Sequence, residues 1–258
     1  MHIDAIGEGD FLHTVIHGPP GTGKTKVARI IGKIISKLGI LKKGSFRKVS
    51  RADLVGGYLG QTAIKTKEII TSNLGGVLFI DEAYSLGNPE KKDSFAKECI
   101  DTLCEALSEY KSELMVIIAG YEDELRECFF NYNKGLESRF VWRFKTDDYT
   151  SEEMKGIFAK KVKDIGWKMS NDDQVACVKW FENRKENFSF FGRDMETLLA
   201  KIKIAHGKRV FGQPKCDRKV ITEEDMENGY KTFMENDEIN RRKEKASMNK
   251  DVQLSMYS

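Results

Sequence analysis

The stretch GPPGTGKT, residues 18–25, constrains the fold of this chain more than any other feature. It fits the pattern G-x-x-x-x-G-K-[ST] and stands directly between an apolar run of strand length and a long helical pattern. Glycines in such a loop let backbone N–H groups surround phosphates at the start of a helix, while the lysine reaches the outer phosphates and the hydroxyl binds magnesium. The sequence therefore predicts a nucleotide-phosphate site made of Gly18, Pro19, Pro20, Gly21, Thr22, Gly23, Lys24 and Thr25.

Strand-length apolar runs alternate with helical patterns over the first half of the chain, which indicates a parallel sheet flanked by helices. The helical patterns run from Val27 to Leu38 and from Phe95 to Leu107, and we expect each to bury one face. The first half is therefore predicted to be α/β, with a P-loop NTPase sheet. The predicted strands are 14–17, 45–49, 77–80, 115–119 and 141–144.

Beyond Asp147 the strand signals end, and four helical patterns follow. The first of them opens with a capping box formed by Thr150 and Glu153. The last residues are charged and polar without a periodic apolar stripe. We expect a nucleotide-binding core over residues 1–147, a small all-helical domain over 148–235, and a charged, disordered tail over 236–258.

Composition excludes several classes of protein. The chain has 258 residues with 43 basic and 40 acidic side chains, so charge gives no broad reason to expect nucleic acid or an anionic membrane. No apolar run approaches the roughly 18 residues of a membrane span, and the amino terminus lacks the pattern of a secretory signal. Five cysteines without a C-x-x-C pair favour buried thiols in a reducing, cytoplasmic compartment.

Two acidic residues, Asp81 and Glu82, follow the buried-strand pattern of residues 77–80. Carboxylates at this position also occur in solvated turns. With a phosphate loop upstream, we interpret Asp81 as the holder of the Mg²⁺ hydration shell and Glu82 as the group that polarises the attacking water.

These features together resemble the AAA+ ATPases. Red-type Rubisco activase and stage V sporulation protein K have similar segments, namely GYLGQTAIKT (57–66), GVLFIDEAYSL (76–86), AGY (119–121), GLESRF (135–140) and the turn at 148–150. Two other segments, GNPEKKDSFAKECIDTLCEAL and FFGRDMETLL, are similar to AAA ATPases of large DNA viruses. The resemblance covers residues 11–233 and implies an AAA+ core with a helical lid domain, ATP and Mg²⁺ as cofactors, and a homo-hexamer.

The resemblance also implies three further sites. Arg139 matches the arginine finger that reaches a neighbouring subunit's nucleotide, and Arg193 matches the lid arginine that contacts nucleotide. Tyr58, Leu59 and Gly60 match the loop presented to the central pore, where an aromatic side chain grips a client by apolar contact. The alternatives are a surface arginine at 139, a helix-start arginine paired with an acid at 193, and a tyrosine that anchors its loop to the core.

Three features depart from the family pattern. Residues 133–136 read Asn-Lys-Gly-Leu in place of N-P-G-L, which is expected to loosen the segment that carries Arg139. Tyr121 stands where many relatives have the asparagine of the first sensor. Thirteen residues precede Thr14, whereas the family has several tens, which implies a fragment or a minimal variant.

We expect an ATP-hydrolysing, chaperone-like ring ATPase that remodels or threads a protein client. One alternative is a nucleic-acid-associated motor or loader, and another is a nucleotide-binding scaffold with little turnover. The nucleic-acid alternative rests on a basic cluster, which is otherwise a solvated face. Tyr58 favours a protein client, and the intact acidic pair disfavours a scaffold. The basic cluster comprises Lys42, Lys43, Arg47, Lys48 and Arg51.

Overall fold

The computed structural model describes residues 10–58, 60–90, 92–171, 175–213 and 218–242. These residues divide into two compact units, and the chain passes from the first to the second after Asp147. Residues 20–22 group with the second unit, while the rest of the chain before Asp148 forms the first. Each unit has a hydrophobic core of its own.

The first unit contains a five-stranded parallel sheet in the order β2-β3-β4-β1-β5. Its registers align Thr14 with Ile117 and with Trp142. The predicted strands agree with the observed ones to within one residue. Because all five strands run in parallel, their carboxyl ends share one edge of the sheet, where α/β proteins bind ligands. The strands are β1 Thr14–His17, β2 Phe46–Val49, β3 Val77–Ile80, β4 Met115–Gly120 and β5 Trp142–Lys145.

Helices cover both faces of this sheet. On one face, Phe79 and Ile117 pack with Ala28, and on the other, Leu78 packs with Leu103. This division follows from the alternation of side chains along each strand. The helices are α1 Lys24–Lys37, α2 Arg51–Leu54, α3 Gln61–Ser72, α4 Ser94–Glu109, α5 Glu122–Cys128 and α6 Gly135–Arg139, with 3₁₀ turns at Ala83–Leu86 and Phe130–Tyr132.

The apolar stripe of α1 is buried differently from the prediction. Ala28 and Gly32 are buried, whereas Ile30 and Ile34 are 57% and 51% exposed. A Cβ atom on Gly32 would lie 2.9 Å from Val77 Cγ2, so the helix approaches the sheet through its smallest residues. The two isoleucines consequently lie on the flank of the contact.

His13 is fully buried beside the first strand. Its Nδ1 accepts a hydrogen bond from Val116 N (3.1 Å), and its Nε2 lies 3.0 Å from Leu107 O. These partners assign the neutral tautomer with the proton on Nε2. Burial lowers the pKa of His13 to about 4, because desolvation disfavours the imidazolium, and the charge of Arg139 lowers it further.

The second unit is mainly helical. Capping boxes at Thr150 and Thr222 open two of its helices, as the sequence predicts for Thr150. The prediction of an all-helical unit is wrong in one respect, because β6 and β7 form a short parallel pair. Strands of two residues are too short to show a periodic pattern. The elements are α7 Ser151–Asp164, β6 Lys168–Met169, α8 Val178–Glu182, a 3₁₀ turn at Lys185–Asn187, α9 Phe191–Val210, β7 Val220–Ile221 and α10 Glu223–Met234.

The predicted disordered tail is wrong for its first residues. Residues 237–242 are helical, and Ile239 is buried in the core of the second unit. Arg242 donates to Asp194 Oδ1 (2.8 Å), and its guanidinium carbon lies 3.6 Å from the centroid of the Phe190 ring. One buried side chain and the ion pairs of Arg242 with Asp194 and Glu238 hold this turn, which is too little to give a sequence pattern. Residues 243–258 lie outside the described residues.

No described helix combines the length and the apolar composition needed to cross a bilayer. The cysteines at positions 99, 104, 128 and 177 are free, and the first three are buried. Burial raises the pKa of the Cys99 thiol to about 11, so this cysteine stays a neutral core residue. Cys216 lies outside the described residues.

Candidate functional site

The glycine-rich loop joins β1 to α1 at the carboxyl edge of the sheet. Gly18 and Gly23 have φ angles of 144° and 84°, a region that favours glycine. A Cβ atom on Gly18 would also lie 2.3 Å from Thr146 Oγ1. Gly23 caps α1 without a side chain, and the first turn of α1 carries no acidic residue. The start of this helix can therefore receive an anion.

Lys24, the first residue of α1, points its ammonium back into the loop. Its Nζ donates to Gly18 O (2.7 Å) and Pro19 O (2.8 Å), and lies 5.4 Å from the centroid of the Tyr121 ring. These carbonyls hold the cation where the backbone of the loop converges. Phosphate oxygens are stronger acceptors for an ammonium than neutral carbonyls are. The lysine is thus placed to bind the phosphates of a nucleotide.

Residues 21 and 22 are hydrogen-bonded to other residues of the second unit. Gly21 O accepts a hydrogen bond from Gly192 N (3.1 Å), and Thr22 O accepts one from the Tyr149 hydroxyl (2.7 Å). A Cβ atom on Gly21 would lie 1.8 Å from Phe190 O. Glycine is therefore required at position 21 both by this packing and by its φ of 77°.

Arg193 is exposed in the first turn of α9, and its guanidinium carbon lies 5.8 Å from the centroid of the Phe190 ring. The neighbouring Asp194 is buried, accepts a hydrogen bond from Phe190 N (2.7 Å) and pairs with Arg242. The acid beside Arg193 is therefore bonded to other groups, and the guanidinium remains exposed to solvent.

The acidic pair follows β3 at the same edge of the first unit's sheet. Asp81 Oδ2 accepts a hydrogen bond from Lys48 Nζ (2.6 Å). Glu82 is exposed and has φ 52° and ψ 48°, an unusual backbone conformation for a residue other than glycine. Burial and a hydrogen bond to Glu82 raise the pKa of Tyr84, so this hydroxyl remains a neutral donor.

Two stacked tyrosines connect the acidic pair with the loop lysine. The rings of Tyr84 and Tyr121 lie 5.7 Å apart with an interplanar angle of 28°. Tyr121 also contacts Lys24, and Tyr84 contacts Glu82. Sequence reasoning missed Tyr84, although its position two residues after Glu82 is a usable signal.

The chemistry of the donor set fits magnesium. Thr25 offers a hydroxyl oxygen and Asp81 a carboxylate, both of which are hard ligands. Within the described ranges, no group of three or more His, Cys, Asp or Glu side chains is arranged to hold a metal unaided. Magnesium retains several waters and is bound through one or two carboxylates together with phosphates, so this small donor set suits it.

Arg139 ends α6 and is half-buried. Its Nε donates to Ser108 Oγ (2.7 Å) and its Nη1 to Gly135 O (2.6 Å). The expected loosening of this segment is wrong, because Asn133 Nδ2 donates to Asp101 Oδ1 (2.9 Å) while its Oδ1 accepts from Gly135 N (2.9 Å). The asparagine side chain holds the turn without a proline.

Tyr58 is 74% exposed, so it does not anchor its loop to the core. Gly60 has φ 80° and precedes α3, whose first N–H, at Gln61, donates to Tyr58 O (3.2 Å). The loop follows the carboxyl end of β2 and the short α2. Leu59 lies outside the described residues.

The basic cluster is divided among different partners. Arg47 donates to Ser72, Lys48 pairs with Asp81, and Arg51 pairs with Asp93. Only Lys42 and Lys43 of the five are exposed without such a side-chain bond among the described contacts. This arrangement gives little support to a continuous surface for a phosphate backbone.

Comparison with known proteins identifies relatives of the chain. The ATPase family associated with various cellular activities (AAA) matches residues 14–140. A CfxQ-like protein of Acanthamoeba polyphaga mimivirus is 42% identical over 87% of this chain and 55% of its own length. A chloroplastic ribulose bisphosphate carboxylase/oxygenase activase of Cyanidioschyzon merolae is 35% identical over 83% of this chain and 75% of its own length. Stage V sporulation protein K of Bacillus subtilis is 43% identical over 62% and 49%. The chain thus spans about half the length of two of these relatives.

Solved structures show the same fold. The AAA domain of FIGL-1, crystallised with ADP, superposes with a TM-score of 0.61 at 20% identity, covering 86% of this chain and 72% of that one. A mutant RuvB of Thermotoga maritima gives 0.55 at 20% identity, with coverage of 86% and 62%. At such identities the likeness is one of fold.

Proposed function

Because this chain belongs to the AAA family of ATPases, within the clade of CfxQ, red-type Rubisco activase and stage V sporulation protein K, we propose that it hydrolyses ATP to remodel or thread a protein client. The main support for a protein client is the exposure of Tyr58, since an aromatic side chain at the tip of a loop can grip a passing chain by apolar contact.

Hydrolysis is assigned to the carboxyl edge of the sheet. Lys24 binds the outer phosphates, and Glu82 accepts the proton of the attacking water while Tyr84 orients its carboxylate. Thr25 and Asp81 would hold Mg²⁺, which would supply positive charge to the phosphates. The exposed backbone N–H groups at the start of α1 complete the phosphate site.

A homo-hexameric ring would give the remaining residues their roles. Arg139 acts as the finger on a neighbouring subunit's nucleotide, and Arg193 contacts nucleotide from the helical unit. Tyr58 and Gly60 are assigned to the loop that faces the pore, and the sequence match assigns Leu59 to the same loop. Family membership supports this assignment, as does the exposed guanidinium of Arg193.

The hydrolytic assignment is tested by two variants with distinct phenotypes. Lys24→Ala should abolish ATP binding, since it removes the charge that faces the phosphates. Glu82→Gln should retain binding and lose turnover by about 10² to 10⁴, the usual contribution of a general base. Equilibrium binding of a fluorescent ATP analogue and steady-state phosphate release measure the two properties. Wild-type turnover by Glu82→Gln would show that Glu82 is not the base.

The client is tested with the same Glu82→Gln protein, which should hold ATP and trap a bound polymer. Polymer binding by Glu82→Gln and ATPase stimulation of the wild-type protein are compared for an unfolded protein, single-stranded DNA and duplex DNA. The proposal expects stimulation by the protein alone, and expects Tyr58→Ala to lose that stimulation with basal ATPase intact. Stimulation by DNA alone would instead favour the nucleic-acid motor.

A further inference from the structure

The ion pair between Lys48 and Asp81 joins β2 to the end of β3. Lys48 Nζ lies 2.6 Å from Asp81 Oδ2, and the two side chains are 49% and 24% exposed. In the register of the sheet, Lys48 is aligned with Phe79, and Asp81 follows Phe79 by two residues. Alternation along a strand therefore directs both side chains to the same face, the one that α1 covers.

The two cations at the end of β2 point to opposite faces. Arg47 precedes Lys48, and its Nη1 donates to Ser72 Oγ of α3 (3.0 Å). Lys48 instead reaches the carboxylate assigned to magnesium. Of the two neighbours, only Lys48 contacts an acidic residue of the candidate site in the described structure.

Lys48 and Asp81 line an open groove of about 610 Å³, together with Glu82 and Ser85. Arg51, the other cation of this groove, is bonded to Asp93 Oδ2 (2.5 Å) and to Ser85 O (3.0 Å). Lys48 is therefore the cation of the groove that neutralises Asp81. Solvent and ions reach the pair, because the groove is open.

We propose that Lys48 competes with hydrated Mg²⁺ for the Asp81 carboxylate, and so sets the magnesium concentration at which the subunit binds Mg²⁺-nucleotide. The inference rests on the proposed role of Asp81. Both cations are attracted to the same carboxylate oxygens, and the ammonium donates to Oδ2 directly. A lysine suits this exchange better than an arginine does, because it is a point charge on a flexible stem that can move into solvent.

Removing the lysine charge should strengthen magnesium binding by a modest factor. The pair is partly exposed, so solvent screens the competition. We expect Lys48→Met to lower the midpoint of Mg²⁺-dependent nucleotide binding by about three- to tenfold, the range of a partly screened ion pair. Affinity for nucleotide in EDTA should be unchanged, since the lysine is assigned to the metal carboxylate and not to the phosphates.

The test titrates Mg²⁺ against a fixed concentration of a fluorescent ADP analogue and records binding, so that it does not depend on turnover. Arg47→Met is the matched control, since it removes a cation from the adjacent position on the opposite face and should leave the midpoint unchanged. Lys48→Arg retains the charge, so its midpoint should not fall below that of the wild type. Lys48→Gln repeats the measurement if thermal unfolding shows that the methionine variant is unfolded.

An unchanged midpoint in Lys48→Met would overturn the proposal. So would a higher midpoint or weaker binding in EDTA, since either result would place Lys48 on the phosphates. Asp81→Asn separates this failure from that of the proposed function. If the Mg²⁺ midpoint of Asp81→Asn equals that of the wild type, Asp81 is not the magnesium carboxylate. If the midpoint of Asp81→Asn rises while that of Lys48→Met equals the wild-type value, only the competition is refuted.

Discussion

At the scale of single residues, phosphate binding dictates the spacing of the glycines and the lysine in the loop at residues 18–25. The sequence could therefore predict this loop. Lys24 and Glu82 were assigned from pattern alone because phosphate binding and water activation demand those side chains at those positions. The stacking of Tyr84 on Tyr121 and the pairing of Lys48 with Asp81 escaped prediction, since they depend on which side chain lies opposite. Such contacts are set by tertiary packing between strands and loops, and one sequence carries no record of them.

His13 makes the stability of the first unit depend on pH. Its pKa is about 4 in the folded chain against 6.5 when unfolded, so both states are neutral above pH 6.5. As the pH falls from 6.5 towards 4, the unfolded state takes up a proton first, and stability is lost. We expect the free energy of unfolding to fall by about 3 kcal/mol over this window, before other groups are counted.

Urea unfolding at several pH values measures this effect. His13→Gln removes the ionisable ring, so it should unfold more easily at pH 7.5 but show a shallower loss of stability between pH 6.5 and 4. Equal pH dependence in the variant and the wild type would assign the acid sensitivity to other groups. A titration of the His13 ring by NMR gives its pKa in the folded chain directly.

At the scale of elements, long patterns were predictable and short ones were not. The five strands of the sheet coincide with apolar runs of strand length, and the helices α4 and α7 follow apolar patterns that repeat at helical spacing. The strands β6 and β7 and the turn at residues 237–242 are too brief to show a period. The stripe of α1 was misassigned for another reason, since close approach through Gly32 shifts the buried face away from the largest side chains.

The turn before α6 offers a stabilising substitution. Lys134 has φ −59°, which a proline ring would fix, and Asn133 has φ −145° and ψ 111°, the extended conformation that a residue before proline requires. Lys134→Pro should therefore stabilise the folded chain by about 0.4 to 1 kcal/mol, by restricting the unfolded chain. Thermal unfolding measures the change, with Lys134→Ala as the control for loss of the charge. A lower melting temperature for the proline variant than for the alanine variant would contradict it.

At the scale of the whole molecule, the proposed arginine finger would make catalysis a property of the assembly. Within one chain Arg139 is bonded to Ser108 and to the carbonyl of Gly135, both in the first unit. Its proposed substrate contact belongs to a neighbouring subunit, so a single subunit carries the phosphate loop and the acidic pair without its own finger. Nucleotide binding should therefore survive loss of the finger, whereas hydrolysis should not.

Mixing subunits tests this division. Arg139→Ala should retain ATP binding and lose turnover by about 10³ to 10⁵, the range for arginine fingers. Doped into wild-type protein, it should depress ATPase activity more than dilution does, because each mutant subunit also disables the intact site that it faces. Arg126→Ala is the control, since Arg126 is an exposed arginine paired with Asp123 on its own helix. In mixtures with this variant, ATPase activity should stay proportional to total protein. A strictly proportional loss with Arg139→Ala, in assemblies shown to exchange subunits, would mean that Arg139 acts within its own chain.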